Sequence, residues 1–578
     1  MRHLMSVLAA APLILAAAAP SATADWARFR GPEGSGVVES SDAVPMRWSP
    51  SANLAWKVAL PGAGVSSPII VDDRVFVTCY SGYGMDRENP GDMDDLKRHL
   101  VCVDLNDGKI RWQKEVAPVL PEDPYEGVGV TAHGYASHTP ASDGERVYWF
   151  LGKGGVLATD LDGNEVWTAD VGRESDPTRW GSSSSPVVVD GVVVVTAAAE
   201  SQSVRGFDAT TGEEIWRQEA SMLDGMWGTP IVVDVSDGVK ELVMGVAKEV
   251  WGMNPATGEL LWRAEATDAE HAYSSVIADG DRIFTVTGRG GGSFAVRAGG
   301  EGDVSDSRTL WSGNDNGSFA TPVHHDGRIY NVSQGVVTVL DAATGDKIDQ
   351  VRLRGARQTG GRFGSLDYAS PLIVGDSLLY LNGSGQTFVL KLDGEPEQVA
   401  VNRVTDDKEM FGGTPAISDG RIVIRSDKHL YCVADTGQTV APEDMAGDPD
   451  AAADERGGGR GRFGGGRGGP GGRGGPGGRG GPGGAGGGGR WDPAEAFNRR
   501  DADGDGRLTR DEMTGGPMAD GFDRMDADKD GGVTLDEFRS GLRAMFGGGR
   551  GGRGGYRGGR GGGGDRPKRP ERPAMAAE

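Results

Sequence analysis

The chain has 578 residues, a formal net charge of −24 and 98 glycines. Its length exceeds one ordinary core and suits a large domain with a small module attached. The acidic balance argues against a nucleic-acid binder as a whole, and its three cysteines form no CxxC or Cys/His cluster that would suggest a zinc site.

Residues 1–24 read as a secretory signal. Arg2 and His3 lead into an apolar run from Leu4 to Ala19, and Ala22-Thr23-Ala24 supplies the small-x-small cleavage site before Asp25. A retained membrane anchor is the alternative reading. No other stretch approaches the length of about 18 apolar residues that a spanning helix needs.

Within residues 25–436, read as one domain, an internal repeat of roughly 45–50 residues organises 53–435, the period of a propeller or solenoid. Each unit opens with small residues, usually followed by Pro. The eight openings are Ser66-Ser67-Pro68, His138-Thr139-Pro140, Ser184-Ser185-Pro186, Gly228-Thr229-Pro230, Ser274-Ser275-Val276, Ala320-Thr321-Pro322, Ala369-Ser370-Pro371 and Gly413-Thr414-Pro415. A β-branched run, a polar turn and a second strand follow, as in Val187-Val188-Val189, Asp190-Gly191 and Val192 to Thr196; Asp-Gly between apolar runs is a strong hairpin signal. A third strand, a turn and a fourth strand close the unit. That second turn recurs as Asp104 to Gly108, Asp160 to Gly163, Asp208 to Gly212 and Asn254 to Gly258, with Trp112, Trp167, Trp216 and Trp262 four residues beyond each Gly. Asp341 to Gly345 keeps the turn without the Trp. Asp caps such a turn, Gly takes its left-handed position, and Trp packs between neighbouring units.

The eighth unit ends after its third strand, Leu430 to Val433. Leu54 to Val58, with its own Trp56, precedes the first opening and is available to complete it. The reading is therefore all-β: an eight-bladed propeller of four-stranded antiparallel blades, closed by the N-terminal strand. Cys79 and Cys102 fall on neighbouring predicted strands of one blade. They could pair across those strands, but the preferred reading for all three cysteines, Cys432 included, is small buried apolar side chains.

The D-x-x-T-G-x-x-x-W unit recurring through the blades resembles the quinoprotein, or PQQ-like, propeller repeat. That family includes PQQ-dependent alcohol dehydrogenases and the non-enzymatic outer-membrane assembly lipoprotein BamB. Trp26-Ala-Arg-Phe29-Arg30-Gly31-Pro32 also resembles the start of many exported PQQ-like propellers. The resemblance implies the fold for residues 26–436 and says little of activity. In the alcohol-oxidising members it implies a catalytic carboxylate by the quinone, a calcium held by Glu and Asn, an aromatic floor, and usually two adjacent cysteines. This chain has no adjacent cysteines, so PQQ is compatible with the family but not expected here, and no catalytic residues are assigned. The loops entering the first strands should rim one mouth of the channel. They carry His133, Tyr135, His138, Trp180, Trp227, His271, Tyr273, Phe319, Arg362, Phe363, Tyr368 and Phe411, a set suited to a ligand or a protein partner.

Residues 437–490 turn into Gly-Gly-Arg and Gly-Gly-Pro repeats, with seven Arg and no acidic residue between Arg456 and Arg490. They read as a disordered tether, and residues 547–578 as a basic tail of the same kind. Their charge suits a polyanion; export disfavours an RNA role, and no specific nucleic acid is expected.

Residues 491–546 read as a small α-helical EF-hand pair. The first 12-residue loop supplies Asp501, Asp503, Asp505, Arg507 through its carbonyl, Thr509 and Glu512; the second supplies Asp526, Asp528, Asp530, Gly532 through its carbonyl, Thr534 and Glu537. Three carboxylates, a Gly at the sharp turn and a bidentate Glu at position 12 fit calcium, with a dissociation constant on the order of 10⁻⁵ to 10⁻³ M for an extracellular module. Leu508 and Val533, at position 8, should join the loops by a short β-contact. The expected function is a non-catalytic exported scaffold or binding protein of the cell envelope, periplasmic or surface-exposed, with a protein partner at one propeller mouth. The alternative is a PQQ-dependent oxidoreductase.

Overall fold

The computed structural model describes residues 26–38, 44–127, 129–236, 238–288, 291–315, 317, 319–356 and 368–440. Towards the C-terminus it describes 497, 507–510, 522–525, 529, 531–535 and 537–538. The segments expected to be a secretory signal (1–24), a tether (437–490, beyond residue 440) and a basic tail (547–578) lie outside the described residues. The chain divides into two compact units, taken in turn.

The first unit is an eight-bladed propeller. Blades 1 to 7 span 69–116, 141–169, 187–219, 231–265, 277–313, 323–352 and 372–402. Blade 8 takes 416–434 and a fourth strand from the other end of the chain, Leu54–Ala59, antiparallel on His429–Ala434 with Trp56 opposite Cys432. Blades 4 and 7 each gain a short fifth strand, Gly302–Asp303 and Val37–Val38. Among the described residues no helix is long and apolar enough to cross a membrane.

Two sets of contacts hold the blades together. At the periphery, the Trp of one blade donates to the turn of the next: Trp56 to the Leu105 carbonyl at 2.8 Å, Trp112 to Leu161 at 2.9 Å, Trp167 to Ala209 at 3.0 Å, Trp216 to Pro255 at 3.0 Å and Trp311 to Ala342 at 3.0 Å. The acceptor directly follows the turn's Asp or Asn, whose side chain holds the turn, as when Asp208 accepts from Thr210 N at 2.9 Å. The turn's Gly lies under the same indole: a Cβ on Gly258, at φ +72°, would sit 2.2 Å from the Trp216 ring. A side chain there would clash, and it would also meet a backbone conformation that L-residues disfavour. Blade 5 lacks this turn, and Trp262 bonds instead to buried Glu241 of its own blade at 2.7 Å.

At the axis, the second residue of each opening forms a ring. The backbone N–H of each donates to the hydroxyl of the next: Ser67 to Thr139, then Ser185, Thr229, Ser275, Thr321, Ser370, Thr414 and back to Ser67, at 2.9–3.1 Å. The circuit closes across 347 residues of sequence between Thr414 and Ser67.

The N-terminal segment crosses the channel beyond this ring. Trp26 pairs with Ile70 of blade 1, the Ala27 carbonyl accepts from Ser142 N of blade 2 at 2.8 Å, and the Gly36 carbonyl accepts from Ile373 N of blade 7 at 2.9 Å. The chain then runs along blade 7, where Trp48 N donates to Asn402 Oδ1 at 3.2 Å, before entering blade 8.

Register decides against the alternative cysteine pairing and for three small buried side chains. Cys79 lies opposite His99, and Cys102 opposite Phe76. The two are offset by three residues, so their side chains leave opposite faces of the blade and join different clusters. All three thiols are free and buried, and burial pushes Cys102 and Cys432 up to about 12.

In the second unit, Arg507–Leu508 pairs antiparallel with Val533–Thr534, Leu508 opposite Val533. Beneath lie Phe497, Phe522, Met525 and Phe538, with Phe497 and Phe538 ring centroids 5.7 Å apart.

Candidate functional site

The channel opens into a cavity of about 160 Å³ at the end where the inner strands begin. The eight ring hydroxyls line it, and Phe29 reaches it from the crossing N-terminal segment. Each ring oxygen accepts an N–H, which leaves each hydroxyl hydrogen available to an acceptor in the channel.

Aromatic side chains from the entries to blades 3 to 7 line one side of the cavity. Trp227 and Tyr273 stack with centroids 5.4 Å apart at 11°. Trp180 lies 5.5 Å from Trp227, Phe319 lies 5.2 Å from Tyr273, and Tyr368 lies 5.2 Å from Phe319. Trp227 is pinned by its indole N–H to the Gly181 carbonyl at 2.8 Å. Burial pushes the Tyr368 phenol up, so the crescent stays neutral. His133 also lines the cavity. Its Nε2 faces the Trp180 carbonyl at 2.7 Å and its Nδ1 meets Ser137 Oγ at 2.6 Å. A carbonyl only accepts, so Nε2 carries the proton; burial lowers the ring's basicity.

The described lining holds no Asp, Glu, Lys or Arg. A quinone cofactor of the kind the repeat implies has an aromatic floor here. The described lining offers no carboxylate to act beside it or to hold a metal, and no cation to meet its own carboxylates, so this described lining does not fit that group.

Of the residues expected at the mouth, His133, Trp180, Trp227, Tyr273, Phe319 and Tyr368 line the cavity. Arg362 and Phe363 lie outside the described residues. His271 packs on Trp227 at 5.7 Å, and Phe411 is buried against Tyr431 at 6.4 Å. Tyr135 and His138 belong to a second, buried site behind the crescent.

That site joins the long insertion that follows blade 1, residues 117–140, to blades 2 and 3. Arg98 pairs with Glu122, and Lys153 lies 3.7 Å from Asp123 and donates to Ser175 Oγ at 2.9 Å. His138 Nε2 meets Ser182 Oγ at 3.0 Å, and the Ser182 hydroxyl donates to Glu200. Burial pushes His138 down to about 3 and Glu200 up to about 7. The serine proton is committed to the carboxylate rather than the imidazole, and all three groups are buried, so the cluster joins blades rather than presenting a nucleophile. Sequence reasoning missed these contacts and the hydroxyl ring, although the Ser or Thr in every opening was its visible signal.

In the second unit, the Glu537 carboxylate accepts from Thr534 N at 2.9 Å and from Thr534 Oγ1 at 2.7 Å, and Thr534 Oγ1 accepts from Glu537 N at 3.3 Å. This reciprocal cap starts the last helix at loop position 9. Gly531, at position 6, has φ +89°, the conformation the sharp turn requires. Arg507, Thr509 and Gly532 are described; Asp501, Asp503, Asp505, Glu512, Asp526, Asp528 and Asp530 lie outside the described residues.

A profile of the family described as outer membrane protein assembly factor BamB matches residues 37–200, 96–348 and 200–441. An EF-hand profile matches 494–514 and 518–542. No curated protein matches the chain. Similar solved structures include BamB from Moraxella catarrhalis, at 12% identity and TM-score 0.47, covering 67% of this chain and 99% of that one. A quinohemoprotein alcohol dehydrogenase from Pseudomonas putida follows at 13% and 0.43, covering 72% and 81%. A europium-containing methanol dehydrogenase stands at 11% and 0.36, covering 68% and 87%.

Glu200 gives the propeller a pH signature. Its carboxyl is raised from an ordinary 4.5 to about 7, so its contribution is fully present below 4.5 and is lost as pH rises through 7. From pH 5 to pH 8 the wild type should lose stability, by about 3 kcal/mol at most, relative to Glu200→Gln, which stays neutral and keeps an acceptor for Ser182. Thermal melts of both proteins across that range check this, and parallel curves would contradict it.

Proposed function

We propose that this chain, which belongs to the family described as outer membrane protein assembly factor BamB, is an exported binding protein of the cell envelope rather than an oxidoreductase. The observation that carries the reading is the channel mouth. It is plugged behind by its own N-terminal segment, walled by five aromatic side chains and free of charged side chains among its described residues. Such a site takes an apolar or neutral group, such as a side chain or loop tip of a protein partner, and gains from burying aromatic area. The Ala-x-Ala leader supports export. The seven Arg and absence of acidic residues between Arg456 and Arg490 suit contact with a polyanion.

The EF-hand pair binds calcium in this reading, with Asp501, Asp503, Asp505, Arg507, Thr509 and Glu512 in one loop and Asp526, Asp528, Asp530, Gly532, Thr534 and Glu537 in the other. The Glu537 carboxylate, held by Thr534, turns to the ion when it binds. A structural or adhesive role suits affinities on the order of 10⁻⁵ to 10⁻³ M.

Two measurements bear on this. A photo-crosslinking residue in place of Tyr273, at the mouth, should trap a discrete protein adduct in exporting cells, whereas one in place of Ile215, on the outer edge, should not; the reverse pattern overturns the mouth as the docking site. Calorimetric titration of the full chain with calcium should show two sites, and the double variant Glu512→Gln, Glu537→Gln should weaken both at least tenfold. Unchanged binding would sink the ligand assignment.

A further inference from the structure

The N-terminal segment fills only part of the channel's closed end. Inner strands such as Ile69–Val71, Val187–Val189, Ile277–Asp279 and Leu372–Val374 are three residues long. Their first and third residues bond to the second strand across a tight turn, so the middle residue turns its N–H and C=O to the channel. The plug meets these groups on three blades. Ile70 of blade 1 exchanges both bonds with Trp26, at 3.0 and 3.2 Å, and Ile373 N of blade 7 donates to the Gly36 carbonyl at 2.9 Å. Ser142 N, at the same place in blade 2, donates to the Ala27 carbonyl at 2.8 Å. Under this cover Ile70 and Ile373 are fully buried.

Blades 3, 4 and 5 present the same place uncovered. Val188, Val232 and Ala278 are half-buried, and among the described residues their backbones make no hydrogen bond beyond their own blades. All three line a cavity of about 570 Å³, within the range of roughly 300–1,000 Å³ in which ligand pockets fall. Its other wall is the plug itself, with Ala27, Arg28 and Gly31 to Ser35. Of the two cations in the lining, Lys240 is held by Asp190 at 2.6 Å. Arg28 forms no salt bridge among the described residues; its Nε donates to the Gly31 carbonyl at 3.4 Å.

We infer that this cavity takes an extended segment of a partner protein, bound through its main chain to the inner edges of blades 3 to 5. The chain's own N-terminus shows what these edges accept, because the equivalent edges of blades 1, 2 and 7 are met by a strand-like segment that lends its N–H and C=O groups. Small or β-branched side chains of the partner segment pack on Val188, Val232 and Ala278, and an acidic residue meets Arg28. The site lies on the far side of the plug from the aromatic mouth, and the inference does not depend on what the mouth binds.

The probe is a heptapeptide selected against the full chain from a displayed random library, and the readout is amide hydrogen exchange. In the free protein Val188, Val232 and Ala278 should exchange faster than Ile70 and Ile373. Bound peptide should slow those three by about tenfold, and N-methylation of alternate peptide amides should weaken binding by about the same factor. Ala278→Trp, which fills the cavity, should remove binding, whereas Tyr273→Ala at the mouth should leave it unchanged. Exchange in the free protein as slow as at Ile70 overturns the open edge. Failure to select a peptide, indifference to N-methylation, or protection at the mouth alone overturns the site. Protection that grows with protein concentration in the absence of peptide gives the cavity to a second copy and overturns the partner assignment. Should Ala278→Trp fail to fold, the exchange and N-methylation results on the wild type decide.

Discussion

Each inner strand of the propeller begins at a backbone N–H that faces the crowded axis, where an unpaired donor would be costly. The neighbouring blade's Ser or Thr hydroxyl meets it, and eight such bonds in circuit fix the spacing of the blades around the channel. At five of the eight junctions a Trp contact at the periphery fixes the same neighbours from outside. Blades so held at both radii have little freedom to slide, and the entry loops of successive blades come to rest side by side. The aromatic crescent follows from that placement.

The channel's two ends differ for a reason that lies in the N-terminus. The segment from Trp26 to Gly36 spans blades 1, 2 and 7 with backbone hydrogen bonds and sends Phe29 into the cavity. The mouth is therefore blind. Charge is kept out of its described lining and gathered elsewhere, in the Arg98–Glu122 and Lys153–Asp123 pairs behind the crescent and in Arg30 beneath the ring. Electrostatics here hold the blades and the plug, and leave the mouth to shape and aromatic surface.

Much of this was legible in residue order. The D-x-x-T-G turn followed by Trp marks the outer contact, because Gly must sit under the indole of the preceding blade. Leu54 to Val58 declared itself as the strand missing from blade 8, and Leu508 and Val533 met as loop position 8 requires. The less legible features depend on register and on partners far away in sequence. Cys79 and Cys102 looked like neighbours until an odd offset put them on opposite faces. His138 sits one residue before a ring Thr, yet it points into a cluster built by the blade 1 insertion, whose course no period predicts. Arg30 gave no sign of burial, since its neighbours are the openings of blades 3 to 5.

The most direct test of the mouth as a binding surface rather than a redox centre is a titration of the mature protein with PQQ in the presence of calcium. Tryptophan fluorescence would report on Trp180 and Trp227, and dye reduction with a panel of alcohols and sugars would report turnover. No saturable quenching at tens of micromolar quinone and no dye reduction is the expected result. Tight, saturable quenching accompanied by turnover would contradict the account and make the protein a quinone-dependent oxidoreductase.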